Sequence, residues 1–378
     1  MSNSKGKIIS AAGLCLCVIL LWAGAYLVPE PNEAGAATQK EEQERVQAAG
    51  SYEDSEKEVI FWYSDADCAS FAEACVRDYY DKTGVAVSAV YREPESYLEQ
   101  IYDVSMEDGD FPDVYLTWND AEEKAYLYGV STGEVYPVFF NTLLLAYRTD
   151  CFPNAPGSIQ EILDFGQSNE VGEGVGNLLE WNVADGFCNY PFVGNSISIQ
   201  EDGTYTITDG EKYNQKLIFF QQLSESVGLE TDTITRASVL ENFNQGASLT
   251  ALLDSDDLDR ITAEGYGIAV LPALNEELDM QGCARTGVLL INEFSEQEVK
   301  QKARDFAAFV TEQEAMRVSE LTPHISVDGT SLKNPWDIVA YEQYTNSRQV
   351  PSFVQEEAFW SRFTSDMTGF WNGDALPE

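Results

Sequence analysis

The tightest constraint on the fold lies between Asp110 and Phe152, where two β-rich runs each carry polar groups at places a buried strand would not waste. Pro112 punctuates the first, whose apolar stretch Val114 to Trp118 breaks at Asn119 and Asp120. That pattern predicts a buried parallel strand delivering an aromatic and two polar side chains at its carboxyl end, where open α/β sheets keep their crevices. The second run, Val138 to Tyr147, is apolar except for Asn141 and Thr142. An Asn inside a buried strand must find a hydrogen-bond partner or a ligand. Upstream, Glu58 to Tyr63 reads as a strand, Ser64 to Asp67 as a capped turn, and the following segment as a helix through Tyr80 that ends at Thr83 and Gly84. A second strand is expected over Val85 to Tyr91, a helix from Pro94 to about Met106, and a third strand over Asp113 to Trp118. Together they make a βαβαβ unit.

The order of motifs resembles that of the extracellular solute-binding proteins of ABC importers, the maltose-binding-protein-like group. Asp110 to Asp120 is similar to that family's strand and cleft loop, and Tyr136 to Asp150 to its first crossing segment. Phe243 to Asp254, Gly265 to Pro272 and Ala303 to Val310 follow in the family's order, so the similarity spans roughly residues 58 to 330. The resemblance implies an α/β, two-lobed periplasmic-binding-protein-like fold of type II. Each lobe would be a mixed sheet flanked by helices, with the ligand cleft between lobes. Lobe one would comprise 58–137 plus 272–322, and lobe two 138–271 plus 323–378. Crossings would fall near Val138 to Asn141, Ile268 to Pro272 and Pro323 to Val327. Within the second lobe, Ile197 to Thr208 reads as a hairpin centred on Asp202 and Gly203.

The first 28 residues carry Lys5 and Lys7 ahead of an apolar run from Ile8 to Val28, long enough to cross a bilayer. They read as a signal anchor or a signal peptide, with small-residue sites at Ala23 to Ala25 and Ala34 to Ala36. Cys15 and Cys17 each follow a Leu in mid-run, which departs from the lipid-anchored members of the family. Residues 29–57 read as an acidic flexible stalk. An extracytoplasmic protein, tethered to the outer face of the membrane or secreted, is therefore expected.

Charge sets limits on the partner. With 64 acidic against 22 basic residues and a formal charge of −42, the chain lacks the basic surface that nucleic acids and anionic membranes require. A monomer that hands a small solute to an ABC permease is implied by the resemblance. Of seven cysteines, Cys68 and Cys75 stand too far apart on one helix to bridge, while a Cys151 to Cys188 pair stays open. No Cys/His spacing of a zinc motif is present, the single His324 has no second imidazole to work with, and no cofactor or metal is expected. There is no nucleophile elbow and no phosphate-cradling loop, and abundant carboxylates single out no acid/base pair, so the chain is not expected to be an enzyme.

Sugar sites combine planar polar groups with aromatic rings stacked on the C–H faces of the sugar. The candidates are Asp65, Asp67, Trp118, Asn119, Asp120, Asn141, Trp181, Tyr190, Asp254 and Trp336. Each has a plainer reading: Asp65 and Asp67 as a cap and turn, Asp254 to Asp257 as a solvated helix start, the Trp residues as core. His324 reads as a structural residue of the third crossing. A sugar or oligosaccharide is the leading ligand, a polyamine a variant of it. A membrane-tethered sensor or scaffold with the same fold, and an extracellular glycosidase, are the alternatives.

Overall fold

The computed structural model describes residues 59–107, 110–168, 175–353 and 355–374. The expected amino-terminal membrane segment and stalk lie outside the described residues, among which no helix is long and apolar enough to cross a membrane.

Alternating apolar side chains give β1 (Val59–Tyr63), β2 (Val87–Tyr91) and β3 (Val114–Trp118). The outer two run parallel to β1, the arrangement a βαβαβ unit dictates. The helix Ala69–Thr83 covers one face with Phe71, Ala72, Cys75 and Tyr79, and stops at Gly84, whose φ of 75° needs no side chain. Expected strand and helix starts differ by two or three residues: β2 opens at Val87, and the second helix, Tyr97–Met106, opens after Ser96 at φ 54°. The turn at Ser96 takes the residues that would otherwise extend the helix back to Pro94.

The chain then enters β4 (Val135–Arg148), a 14-residue strand spanning roughly 45 Å. After it come β5 (Asn177–Glu180), the antiparallel hairpin of β6 (Ile197–Ile199) and β7 (Tyr205–Ile207), β8 (Ser248–Asp254) and β9 (Tyr266–Ala269). The last strands are β10 (Cys283–Ile291) and the short β11 (Ile325–Ser326) and β12 (Arg348–Gln349). The main sheet runs β2-β1-β3-β10-β4-β8-β5. Residues 135–142 of β4 pair antiparallel with β10, whereas Leu143 to Arg148 pair with β8 and β9, and β11 pairs with Phe139 and Phe140. One strand thus carries the chain from one set of partners to the other. Where β10 lies against β4, register shifts between Gly287 and Val288. A Cβ at Gly287 would lie 2.1 Å from the Phe139 ring, so only glycine lets the ring occupy that place.

Apolar faces of the strands fill four cores. Phe61, Leu116 and Leu289 pack with Phe306 and Val310 of helix Gln297–Gln313, and the alternate residues Trp62, Tyr115 and Leu290 pack with Leu98 and Ile101 on the opposite face. Along β4 the same alternation sends Leu143 and Leu145 one way and Phe140, Leu144 and Ala146 the other. The carboxyl-terminal helix Glu356–Trp371 buries Phe359, Phe363, Met367 and Trp371, spaced four apart, in the core that holds Leu143 and Trp181. Each such side chain contributes roughly 1.5–3 kcal/mol. All five cysteines of the described region are free thiols, Cys151 and Cys188 included.

Candidate ligand-binding site

Three loops converge where β1, β8 and β11 meet the ends of the sheet. After β1, Asp65 caps a short 3-10 turn by accepting from the Asp67 amide through Oδ1 (2.9 Å), which leaves Oδ2 2.8 Å from Nε2 of His324. His324 immediately precedes β11, its amide held by the Thr322 hydroxyl at 3.1 Å. Its ring stacks on Phe139 at a centroid distance of 4.1 Å and meets Trp118 edge-on at 5.7 Å. On the far side Nδ1 faces Asp256 Oδ1 at 3.1 Å, an ion pair more than a well-directed hydrogen bond. The other oxygen of Asp256 accepts from Asn141 Nδ2 at 2.6 Å. Burial alone would favour the neutral ring, but the carboxylates of Asp256 and Asp65, with Cys68, raise His324 to about 12. On Asp65 burial acts upward instead, but the bond to and charge of His324, with the Asp67 amide and Arg260, outweigh it, so it ends below the usual carboxylate range.

A chain of charges runs alongside. Arg236 Nε lies 2.7 Å from Asp257 and 3.1 Å from Asp254, and Arg260 joins Asp257 (3.5 Å) to Asp67 (3.4 Å). The run Asp254 to Asp257 is therefore not the solvated helix start that its sequence suggests. Asp256 and Asp257 are buried because Arg236 and His324, distant in sequence, supply their counter-charges. Asp254, at the end of β8, is pushed up to about 7 by burial against the pull of Arg236, with Asp256 and Asp257 adding to the rise.

A second group gathers around Arg285, which pairs in register with Asn141 across β10 and β4. Its guanidinium lies over the rings of Phe187 (5.0 Å) and Trp360 (5.9 Å), with Asp120 3.7 Å from Nε. Glu356 is raised to about 7 by burial and by the charge of Asp120. Asn119 ties the wall together, donating to Val350 O (3.0 Å) and accepting from the Thr286 amide (2.8 Å). The two groups approach each other near helix Gly186–Val193: burial, then the charges of Asp254 and Asp185, push the Cys188 thiol well up, while Arg236 and Arg285 act on it in the opposite sense. Trp360 Nε1 is buried without a partner.

No family model matches the chain, and no curated protein matches it in sequence. Solved structures do. The extracellular solute-binding protein from Staphylococcus aureus in complex with maltose superposes with a TM-score of 0.71 at 17% identity, covering 85% of this chain and 94% of that one. A cyclo/maltodextrin-binding protein complexed with maltotetraose gives 0.70 at 16%, covering 85% and 94%. The maltose-binding periplasmic protein from Listeria monocytogenes gives 0.69 at 15%, covering 84% and 93%. The fold is that of the extracellular solute-binding proteins.

Within that two-lobed solute-binding-protein fold, the structure brings Asp65, Asp67, Trp118, Asn141 and Asp254 into the network around His324 and Arg236, and Asn119 and Asp120 into the wall around Arg285. Tyr190 is 1% exposed and packs on Trp360 and Phe363, with Arg348 donating to its hydroxyl at 3.3 Å. Trp181 is fully buried among Phe192, Phe220 and Trp371, and its indole donates to Asn189 (2.9 Å). Trp336 lies against Tyr266 of β9. Phe187, Arg285, Glu356 and Trp360 escaped the sequence reading. A weak signal existed for Trp360: it sits one place off the four-residue stripe of its helix, and it packs only at the margin of the core, partly buried.

Proposed function

We propose that this chain is an extracytoplasmic solute-binding protein that captures a sugar or oligosaccharide and presents it to an ABC permease. One observation carries the reading: the aromatic faces of Phe187 and Trp360 stand beside Arg285, Asp120 and Glu356, with Asn141 and Asp254 nearby in the fold. A sugar offers hydroxyls at its rim and C–H groups on its flats, and this set offers partners for both. Of the ten residues named from sequence, those other than the core residues Trp181 and Tyr190 would share the site with these four.

The lobes would be 58–137 with 272–322 and 138–271 with 323–378, hinged where β4, β9 and β11 meet. Ligand held from both sides favours the closed form by differential binding, and the permease would recognise that form. Several candidate acceptors already have arginine or imidazolium partners, so a ligand hydroxyl joins or displaces an existing charge pair instead of meeting a bare carboxylate. Capture without turnover is the expected chemistry, with the chain acting as a monomer at the outer face of the membrane.

The test is thermal melting of the full chain against maltodextrins, other oligosaccharides and polyamines. Ligand at a hundredfold its dissociation constant should add about 2.7 kcal/mol. A shift with saccharides that disappears in Trp360→Ala supports the reading; a shift only with polyamines moves it to a cationic ligand, and no shift at all removes it in favour of a sensor or scaffold.

A further inference from the structure

Around His324 the fold assembles three side chains of different chemistry, two from the turn after β1 and one 259 positions beyond Asp65 in the chain. A carboxylate oxygen of Asp65, the Cys68 sulfur and an imidazole nitrogen of His324 all lie within 4.8 Å of one another. We propose that Asp65, Cys68 and His324 form a binding site for a zinc-like divalent cation.

The donor set selects the metal. A thiolate, an imidazole and a carboxylate are the ligands of Zn²⁺, whereas Mg²⁺ and Ca²⁺ take oxygen alone. A tetrahedral ion bound at the usual lengths sets its ligand atoms roughly 3.4–3.8 Å apart. The 2.8 Å between Asp65 Oδ2 and His324 Nε2 therefore has to open by about half an ångström, and the widest separation has to close by about one. Rotation of the Asp65 side chain, 35% exposed, suffices for the first. The same exposure gives the ion a way in and leaves water at the fourth position.

The imidazole is already arranged as a ligand. Metal-bound histidines typically give their other ring N–H to a carboxylate, which fixes tautomer and ring plane. Here Asp256 faces Nδ1 at 3.1 Å and is itself held by Asn141, while Phe139 stacks on the ring at 4.1 Å. Nε2 is thereby directed to Asp65, with the Cys68 sulfur within 4.8 Å of the ring's ligating nitrogen. On binding, the metal forms bonds to an Asp65 oxygen, the Cys68 sulfur and His324 Nε2; the proton on Nε2 and the thiol proton pass to solvent, and nothing is oxidised or reduced. The ion would tie the turn after β1 to the segment that enters β11 and pairs with β4. Asp65 is also one of the residues proposed for the solute cleft, so the two sites adjoin.

The experiment uses the full chain, reduced and stripped with chelator, with Co²⁺ as probe. The expected result is a saturable thiolate-to-Co²⁺ charge-transfer band, bleached by stoichiometric Zn²⁺, absent in Cys68→Ser and retained in Cys75→Ser. Asp256→Asn should weaken Zn²⁺ binding about 10- to 100-fold, as loss of such an orienting carboxylate does elsewhere. Absence of the band in the unaltered chain overturns the proposal, and so does a band that survives in Cys68→Ser. X-ray absorption of the zinc-loaded unaltered chain needs no variant to fold: one sulfur at about 2.3 Å supports the site, and a shell without sulfur overturns it. Saccharide-induced melting shifts are read separately, so loss of either result leaves the other standing.

Discussion

His324 Nε2 and Asp65 Oδ2 sit 2.8 Å apart, although 259 residues separate them in the chain. With Asp256 on the other nitrogen, the ring is an imidazolium held between two carboxylates, and this arrangement fixes how stability responds to pH.

Because the folded state raises His324 from 6.5 to about 12, its contribution is complete below 6.5, declines as pH rises beyond that value, and is gone above about 12. His324→Gln should therefore lower the melting temperature most at pH 6, and the gap to the parent should narrow from pH 7 to pH 10. Parallel curves across that range would contradict the ion-pair account.

Asp254 works in the opposite sense. Its folded pKa of about 7 lies above the ordinary 3.8, so the folded protein prefers the protonated acid; ionisation costs stability above about 7, and the cost fades as pH falls. Asp254→Asn is expected to be more favourable, relative to the parent, at pH 8 than at pH 5, as measured by urea unfolding at the two pH values.

Arg236→Ala removes the nearest counter-charge of Asp257, whose side chain is 2% exposed. Arg260 remains 3.5 Å away as a partial substitute. A loss of about 1–3 kcal/mol is expected, the cost of leaving a buried acceptor poorly paired, and chemical denaturation reads it directly.

Two tryptophans of one helix should separate binding from folding. Trp371 is 4% exposed and donates to Leu229 O, so Trp371→Ala should cost about 3–5 kcal/mol. Trp360 is only partly buried and its indole N–H is unpaired. Trp360→Ala should cost less stability and abolish the saccharide-induced shift; a loss of stability equal to that of Trp371→Ala would make Trp360 a core residue.

Much of the architecture was legible in the sequence because its signals are local. The βαβαβ unit follows from apolar alternation and from Gly84, and the hairpin of β6 and β7 from Asp202 and Gly203, the latter at φ 77°. The site was legible only in part. Asn141 stood out as a polar residue inside an apolar strand, and Asp65 as a cap, but nothing near either residue announces Asp256 or His324 as its partner. The burial of Asp254 to Asp257 and the stacking of Arg285 over Phe187 and Trp360 are set by segments that meet only in three dimensions. The zinc-like donor set was hidden for the same reason: Asp65 and Cys68 share one turn, but His324 lies 259 positions from Asp65 and no metal-motif spacing links it to them.

Gly287 gives one place where this coupling can be felt from a distance. The vacancy beside its Cα holds the Phe139 ring, and Phe139 is the floor on which the imidazole of His324 rests. Adding even one methyl group there would tilt that floor, and the tilt would reach Asp65, Asp256 and Asn141 together. A glycine of the sheet thus governs the alignment of a cluster of charged side chains, through the one ring it leaves room for.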